Sequence, residues 1–221
     1  MNRRGPVKRA YRSTLRREQA ASTRMAVISA ATDLFVRDGY GPTSIDSIAD
    51  AAGVSRATVF TAVGGKAAVL RAAYNVAIVG DDEPIPLPER PWARPVREAR
   101  DAGTMLVRYA HMVGVIDQRV ARIYEVLRGA AGADTEVRAH WDQIRDERKV
   151  GAGNVIAMLQ ERGRLRQGLR KRAAADIVFV LIDPGLYHQL VEEQGWKPAA
   201  FESWLAETLQ MQLLPPPKST H

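Results

Sequence analysis

Apolar residues recur every three or four positions along most of the chain, the spacing that places side chains on one face of an α-helix. The clearest short stripe comprises Ile45, Ile48, Ala49 and Ala52. Thr43 and Ser44 precede it as candidate N-caps, and Gly53 follows it, where a helix end favours a positive φ. Ser55 can then cap a second helix, Arg56 to about Thr61. Two short helices joined by a glycine turn have the layout of a helix-turn-helix, a motif that binds DNA.

Helical patterns continue on both sides of this motif. A longer stripe predicts a helix from about Gln19 to Arg37, which the turn Gly39–Pro42 ends. After a Gly–Gly pair, a helix from Lys66 to about Val79 is expected. Residues 80–95 hold five of the twelve prolines and cannot form a regular helix, so they mark a domain boundary.

Every segment beyond this boundary is predicted to be helical. The run IVFVLI (177–182) is β-branched enough for a strand, but the alanines before it and the absence of a strand partner favour a buried helix. Pro184 kinks or restarts this helix, with Asp183 as a candidate N-cap, and its continuity there stays open. The expected helices are Val96–Ile116, Arg119–Ala130, Asp134–Glu161, Ala173–Ile182 with a continuation to about Gln194, and Pro198–Leu214. The predicted fold is therefore all-α.

The predicted organisation has four parts. A basic disordered arm (1–18) precedes a three-helix DNA-binding domain with a connecting helix (19–79). A Pro-rich loop (80–95) leads to a larger helical domain (96–221).

Composition narrows the function classes. The 221 residues include no cysteine, and the four histidines are scattered, so no thiolate chemistry, metal site or cofactor is expected. No apolar run approaches about 20 residues, and the N-terminus lacks the apolar core of a secretory signal. A cytoplasmic protein without a membrane partner is the expectation.

The positive charge is concentrated near the N-terminus. Of the net +7, residues 1–70 carry +6, from 11 basic and five acidic side chains. Residues 1–17 contain seven basic residues and no acid. Such an arm is either a solvated tail or, beside a DNA-binding motif, a contact to phosphates or the minor groove. The DNA contact is favoured, through Arg9, Arg12 and Arg16 among others.

Residues 28–70 resemble the DNA-binding signature of the tetracycline-repressor (TetR) family, in the pattern AA..LF...GY..TSI..IA..AGVS.ATVF....GK..VL. The closing segment LYHQLVEEQGWKPAAFESWLAETL is similar to the last two helices of one subgroup. The resemblance implies a homodimer in which these helices of both subunits form a four-helix bundle. It also implies that the larger domain binds a ligand that alters the spacing of the two DNA-binding heads.

The chain departs from the family pattern after Phe60. Thr61, Ala62 and Val63 stand where the family often has Tyr or His and a further aromatic. Gly65 replaces a capping Ser or Asp, and Ala67 replaces an acid. These departures indicate fewer local phosphate contacts, for which the basic arm can compensate.

Arg56 is the best candidate for a bidentate contact to guanine, although an exposed Arg can also bind a phosphate. Val59 is expected in the core, and for Phe60 the core is slightly favoured over DNA. Thr43 and Ser44 at a helix N-terminus, and Lys66, are candidate phosphate contacts. Besides the arm, the candidate DNA-binding residues are Thr43, Ser44, Ser55, Arg56, Ala57, Thr58, Phe60, Thr61 and Lys66.

Pocket and interface candidates rest on the family resemblance and on helical spacing, and most of the large pocket candidates are equally well explained as core. The larger domain has few acids at apolar-face positions, so a cationic ligand is not indicated. The candidate pocket residues are Leu106, Tyr109, Met112, Tyr124, Trp141, Met158 and Phe179. The candidate dimer-interface residues are Leu186, Leu190, Phe201, Trp204, Leu205 and Leu209.

The sequence thus predicts a TetR-like dimeric regulator, most simply a repressor released from an inverted-repeat operator by a small molecule. One alternative is a constitutive DNA-binding protein without an effector. The other is an all-α enzyme, which is disfavoured because no nucleophile elbow, phosphate-binding glycine loop or paired-carboxylate motif occurs.

Overall fold

The computed structural model describes residues 6–81, 83 and 85–216, which form two compact units, Met1–Val76 and Ala77–His221. The division lies inside a helix and not in the Pro-rich segment 80–95, where the sequence analysis placed the boundary. Residues 1–5 of the predicted arm and the last five residues of the predicted C-terminal domain lie outside the described part. Among the described residues there are helices and turns but no strand, as the all-α prediction requires.

The first unit contains α1 (Pro6–Asp38), α2 (Ile45–Ala52), α3 (Arg56–Ala62) and most of α4 (Lys66–Val79). The start predicted for the first helix, Gln19, is wrong, and so is the disordered state predicted for residues 6–18. The reason is local: no Gly or Pro occurs between Val7 and Asp38, and Arg, Ala, Leu and Glu are good helix formers. A helix nucleated by the buried half of α1 therefore extends at little cost.

The turn between α2 and α3 has the predicted capping geometry. Ser44 caps α2 in a capping box with Ser47, and Ser55 caps α3 by accepting a hydrogen bond from the backbone N–H of Thr58. Gly53 ends α2 at φ 66°, in the left-handed region that a side chain disfavours. Beneath the turn, fully buried Ile48 and Val59 hold the two helices on the core of the unit.

The second unit starts with short 3₁₀ turns and α5 (Arg94–Arg97). It then forms α6 (Ala102–Ala130), α7 (Thr135–Arg162) and α8 (Lys171–Leu181). It closes with α9 (Pro184–Tyr187), a π-helical turn (His188–Glu193) and α10 (Pro198–Leu213).

Two predicted helix boundaries in the second unit are wrong. The helices expected at Val96–Ile116 and Arg119–Ala130 are one helix, α6, which begins only where Asp101 caps it. The chain is continuous between them because residues 117–119 contain no helix breaker. At Pro184 the chain breaks and restarts: α8 ends at Leu181, and Asp183 caps α9 as predicted.

The core of the second unit lies where α6 packs against α10 and α7 packs against α8. Fully buried side chains from all four helices fill it, among them Leu106, Ile156, Val178 and Phe201. Where α6 meets α10, the Glu202 side chain lies so close to Gly114 that a Cβ added there would be 2.5 Å from its Cγ. Gly114 thus permits the close approach of the two helices.

None of the described helices alone has the length and hydropathy of a membrane span, although two bent helix pairs reach that threshold together.

Candidate DNA-binding and ligand sites

Helix α3 turns one face to its own unit and the other to solvent. Val59 is fully buried, as predicted, whereas Arg56, Ala57, Phe60 and Thr61 are exposed. The expectation that Phe60 packs in the core is wrong, because 47% of its surface is exposed. Phe60 follows Val59 directly, and a step of about 100° around a helix carries it off the buried face. The outward face thus presents one guanidinium, one aromatic ring, a methyl group and a hydroxyl.

Arg56 is held in place by two neighbours. Its guanidinium donates a hydrogen bond to the Asp46 carboxylate on α2 at 2.6 Å and lies 5.6 Å from the centre of the Phe60 ring. More than half of each charged side chain is exposed, so the pair lies on the surface. Asp46 is therefore part of the candidate site that the sequence analysis missed.

The hydroxyl groups at the helix starts are largely engaged within the unit. The Ser55 and Thr58 hydroxyls lie 2.8 Å apart, and the Thr61 hydroxyl donates to the Ala57 carbonyl. Thr43 is buried, and its hydroxyl donates to the Gly39 carbonyl at 2.8 Å. Thr43 is therefore not placed to contact a phosphate. Ser44, at the start of α2, is exposed and stays a candidate.

Lys66 has an internal role that the sequence did not reveal. Its ammonium group donates to the backbone carbonyls of Tyr40, at 2.8 Å, and Gly41, at 3.3 Å. It also lies 4.1 Å from the centre of the Tyr40 ring, a cation–π distance. Lys66 therefore ties the start of α4 to the turn after α1, which leaves less of its charge available to DNA.

The candidate arm contacts fall on α1. Arg16 is exposed there, whereas the side chains of Arg9 and Arg12 lie outside the described part.

A polar cluster lies inside the second unit. Arg148 of α7, only 11% of whose side chain is exposed, pairs with Asp183 at 2.8 Å. The same guanidinium donates to the Tyr124 hydroxyl at 2.9 Å and to the Phe179 carbonyl at 3.0 Å. It also lies 4.7 Å from the centre of the Phe179 ring. The donors of Arg148 are thus well used, and its charge is balanced by Asp183.

Asp117 of α6 belongs to the same region, since the charges of Arg148 and Asp183 both act on it. It is 3% exposed, and its Oδ2 atom has no hydrogen-bond partner among the described residues. Burial raises the pKa of the Asp117 carboxyl well above its usual value, against the opposing effect of Arg148. Burial, reinforced by Asp117, likewise raises the pKa of the Tyr109 hydroxyl.

Asp117 is one of the few acids at an apolar-face position, and the sequence analysis did not single it out. It falls four residues after Val113 and three before Val120, both buried on α6. That spacing was readable in the sequence, although the environment of the carboxyl was not.

Comparison with known proteins agrees with the geometry of the first unit. Residues 27–73 match the family described as bacterial regulatory proteins, tetR family. Over 164 residues the chain is 24% identical to the uncharacterized HTH-type transcriptional regulator YdeS of Bacillus subtilis (strain 168), covering 74% of this chain and 77% of YdeS.

The helix-turn-helix unit thus matches the TetR family, and the chain is similar to an HTH-type transcriptional regulator.

Solved structures of transcriptional regulators share the fold of this chain across both units. NalD, the secondary repressor of the MexAB-OprM multidrug efflux pump in Pseudomonas aeruginosa, is 22% identical, with a TM-score of 0.64 over 89% of this chain and 98% of NalD. FadR of Bacillus subtilis, in complex with stearoyl-CoA, is 19% identical, with a TM-score of 0.63 over 84% of this chain and 96% of FadR. The confirmed fold is therefore a helix-turn-helix domain followed by a larger helical domain.

The residues expected to line a ligand pocket are not equivalent in the structure. Leu106 is fully buried core, and the Tyr124 and Trp141 rings pack with their centres 5.0 Å apart. Tyr109 is buried, whereas Met112, Met158 and Phe179 are half-buried against the core. Of these candidates, Tyr124 and Phe179 contact Arg148 of the polar cluster.

The candidate dimer-interface residues divide into two groups. Phe201, Leu205 and Leu209 are fully buried within the chain, so their side chains have no free surface for a partner. Their expected role in the interface is therefore wrong, because α10 turns this face to α6 and not to solvent. Leu186, Leu190 and Trp204 are half-buried and retain exposed surface.

Proposed function

We propose that this TetR-family regulator is a homodimeric repressor that binds an inverted-repeat operator and is released by a small molecule bound in its second unit. The exposed face of α3, with Arg56 presented beside Phe60, is the observation that carries the proposal. A helix of this size and charge fits the major groove. Because it acts on chromosomal DNA, its proposed place of action is the cytoplasm.

Arg56 is proposed to contact a guanine, because it is the only charged residue of α3 and is already extended along the surface. Ala57, Phe60 and Thr61 share its exposed face and suit thymine methyl groups and base edges. Ser44, Ser55 and Thr58 at the helix starts, together with Arg16, are proposed to contact phosphates.

The homodimer is proposed to form through exposed apolar side chains of the last helices. Val180 of α8 is 59% exposed and Met211 of α10 is 75% exposed, while Trp196 and Trp204 contact each other edge to face. Apolar side chains exposed on neighbouring elements are typical of an interface. The half-buried Leu186 and Leu190 lie in the segment between α8 and α10 and can extend it.

The effector part of the proposal rests on two supports. The second unit contains buried polar groups without a full set of partners among the described residues, which is uncommon in a purely structural core. In addition, FadR, which shares the fold, has been solved in complex with stearoyl-CoA, and NalD is described as a repressor. We propose DNA and ligand binding, and not catalysis, as the activity.

Selection of bound fragments from random DNA, followed by footprinting, tests DNA recognition. A dimer with two-fold symmetric heads is expected to select an inverted repeat whose half-sites lie about 34–36 Å, or a multiple of that, apart. Consistently asymmetric footprints, or binding that ignores the symmetry of the site, would contradict the dimeric reading.

A screen of metabolites by thermal shift, with and without the selected operator, separates the repressor from a constitutive DNA-binding protein. A true effector must stabilise the free protein more than the DNA complex, because the coupling between the two sites is reciprocal. If every compound that binds stabilises both forms equally, the protein is a constitutive DNA-binding protein and the repressor proposal is wrong.

A further inference from the structure

The polar cluster of the second unit contains two carboxyl groups, Asp117 and Asp183, and one guanidinium, Arg148. Arg148 is committed to Asp183, to the Tyr124 hydroxyl and to the Phe179 carbonyl. Asp117 is only 3% exposed, yet its Oδ2 atom accepts no hydrogen bond from the described residues. The group missing beside Asp117 Oδ2 is therefore a cation or a hydrogen-bond donor.

We propose that Asp117 recognises a small molecule that carries a positively charged nitrogen. The inference rests on the proposed function, in which the second unit binds an effector, and it specifies the chemistry of that effector. A buried carboxylate is stable only when paired, and a ligand ammonium or amidinium supplies both the charge and the missing donor. An anionic ligand would instead have to break the ion pair of Arg148 with Asp183.

Aromatic rings beside the cluster favour the same ligand class. The Arg148 guanidinium lies 4.7 Å from the centre of the Phe179 ring and 5.6 Å from that of Tyr124. Trp141 packs against Tyr124, so a further aromatic side chain borders the cluster. Rings that already face one buried cation provide the environment in which organic cations bind well. The buried Nδ1 atom of His188 likewise has no hydrogen-bond partner among the described residues. His188 follows Tyr187, whose hydroxyl is also within electrostatic range of Asp117.

Binding of such a ligand changes the number of protons bound to the protein, and this change can be measured. In the free protein, burial raises the pKa of Asp117 and so favours its protonated form, with Arg148 opposing and Asp183 reinforcing that shift. When a cation binds, the Asp117 carboxyl loses its proton to solvent and the carboxylate pairs with the ligand nitrogen. Binding of a cation therefore releases up to one proton, whereas binding of a neutral molecule does not.

The test compares the intact protein with Asp117→Asn, which keeps the shape of the side chain and removes its charge. The cationic probes are phenethylamine, benzyltrimethylammonium and benzamidine, and their uncharged or anionic counterparts are 2-phenylethanol, benzamide and phenylacetate. Asp142→Asn, which removes a carboxylate from an exposed position of α7, is the matched control. Calorimetric titrations in two buffers of different ionisation enthalpy give the affinity and the number of protons released.

We expect at least one cationic probe to bind the parent protein and the Asp142→Asn control with the same affinity, and to bind Asp117→Asn at least tenfold more weakly. The proton release should disappear in Asp117→Asn. If no cation prefers the parent protein over Asp117→Asn, or if the uncharged and anionic probes show the same preference, the inference is wrong.

An operator-release assay distinguishes this inference from the proposed function. A cation that binds through Asp117 but leaves the operator complex intact supports the inference and contradicts the repressor mechanism. Release of the operator by a neutral or anionic probe, unaffected by Asp117→Asn, supports the mechanism and overturns the inference.

Discussion

The ion pair of Arg56 with Asp46 orients the side chain that we propose to contact a base. Arg56→Ala should cost about 1–3 kcal/mol on the preferred operator and relax the preference at one base pair. Competition binding against all single-base variants of the site measures both effects. Arg16→Ala, on the exposed surface of α1, is the control and should weaken binding equally for all sequences. An equal loss in Arg56→Ala would make Arg56 a phosphate contact as well.

Asp46→Asn tests the orienting role separately. Its carboxylate holds the Arg56 guanidinium at 2.6 Å, but it also adds a negative charge close to the proposed DNA surface. Removal of that charge should therefore raise affinity for unrelated DNA while the base preference attributed to Arg56 decreases. If the base preference is unchanged and only non-specific affinity rises, Asp46 does not orient Arg56.

Asp117 predicts a pH dependence of stability. Because its folded-state pKa is raised above the ordinary value of 3.8, the folded state keeps a proton that the unfolded state loses. Stability is thus fully present below that value and falls as pH rises towards the folded pKa. Asp117→Asn removes this cost, so its melting temperature should exceed that of the parent protein by more at pH 8 than at pH 5. A difference that stays constant between these pH values would show that burial does not raise the pKa of Asp117 into this range.

At the scale of elements, Gly114 controls how closely α6 and α10 pack. A Cβ at this position would lie 2.5 Å from Glu202 Cγ and 2.9 Å from Glu202 Oε1, so Gly114→Ala must displace Glu202. We expect the free energy of unfolding to fall by about 1–3 kcal/mol, measured by urea denaturation. Gly129→Ala on the same helix has open space around the new methyl group and should instead be neutral or stabilising by up to about 1 kcal/mol. Similar effects of the two substitutions would contradict the close approach at Gly114.

At the scale of the whole molecule, Trp204 tests the proposed dimer. Trp204→Arg places a charge among the exposed aromatic and apolar side chains of the last helices and should give monomers with weak operator binding. Light scattering measures the change, and circular dichroism verifies that the helices remain. Val150→Arg adds the same charge at an exposed position of α7 and should stay dimeric. Monomers in Val150→Arg alone would move the interface to α7.

The helix-turn-helix was predictable because its determinants are local. Ser44, Gly53 and Ser55 each act within a few residues of their own position, through caps and a left-handed turn. The inward position of Val59 likewise follows from helical spacing alone. The length of α1 was missed since a basic composition was read as disorder, although its helix-forming residues extend a helix already anchored downstream.

Only the tertiary structure decided which side chains meet across the chain. Asp183 and Arg148 are 35 residues apart in sequence, and no local pattern states that they pair or that Asp117 lies within range of both. Phe201 has the same spacing as an interface residue but is buried against its own chain. Hydrophobic periodicity identifies the apolar face of a helix, whereas the partner of that face depends on long-range packing. The sequence by itself thus determined the helices and the DNA-binding motif, and the packing of α6, α7 and α9 decided the chemistry of the buried cluster.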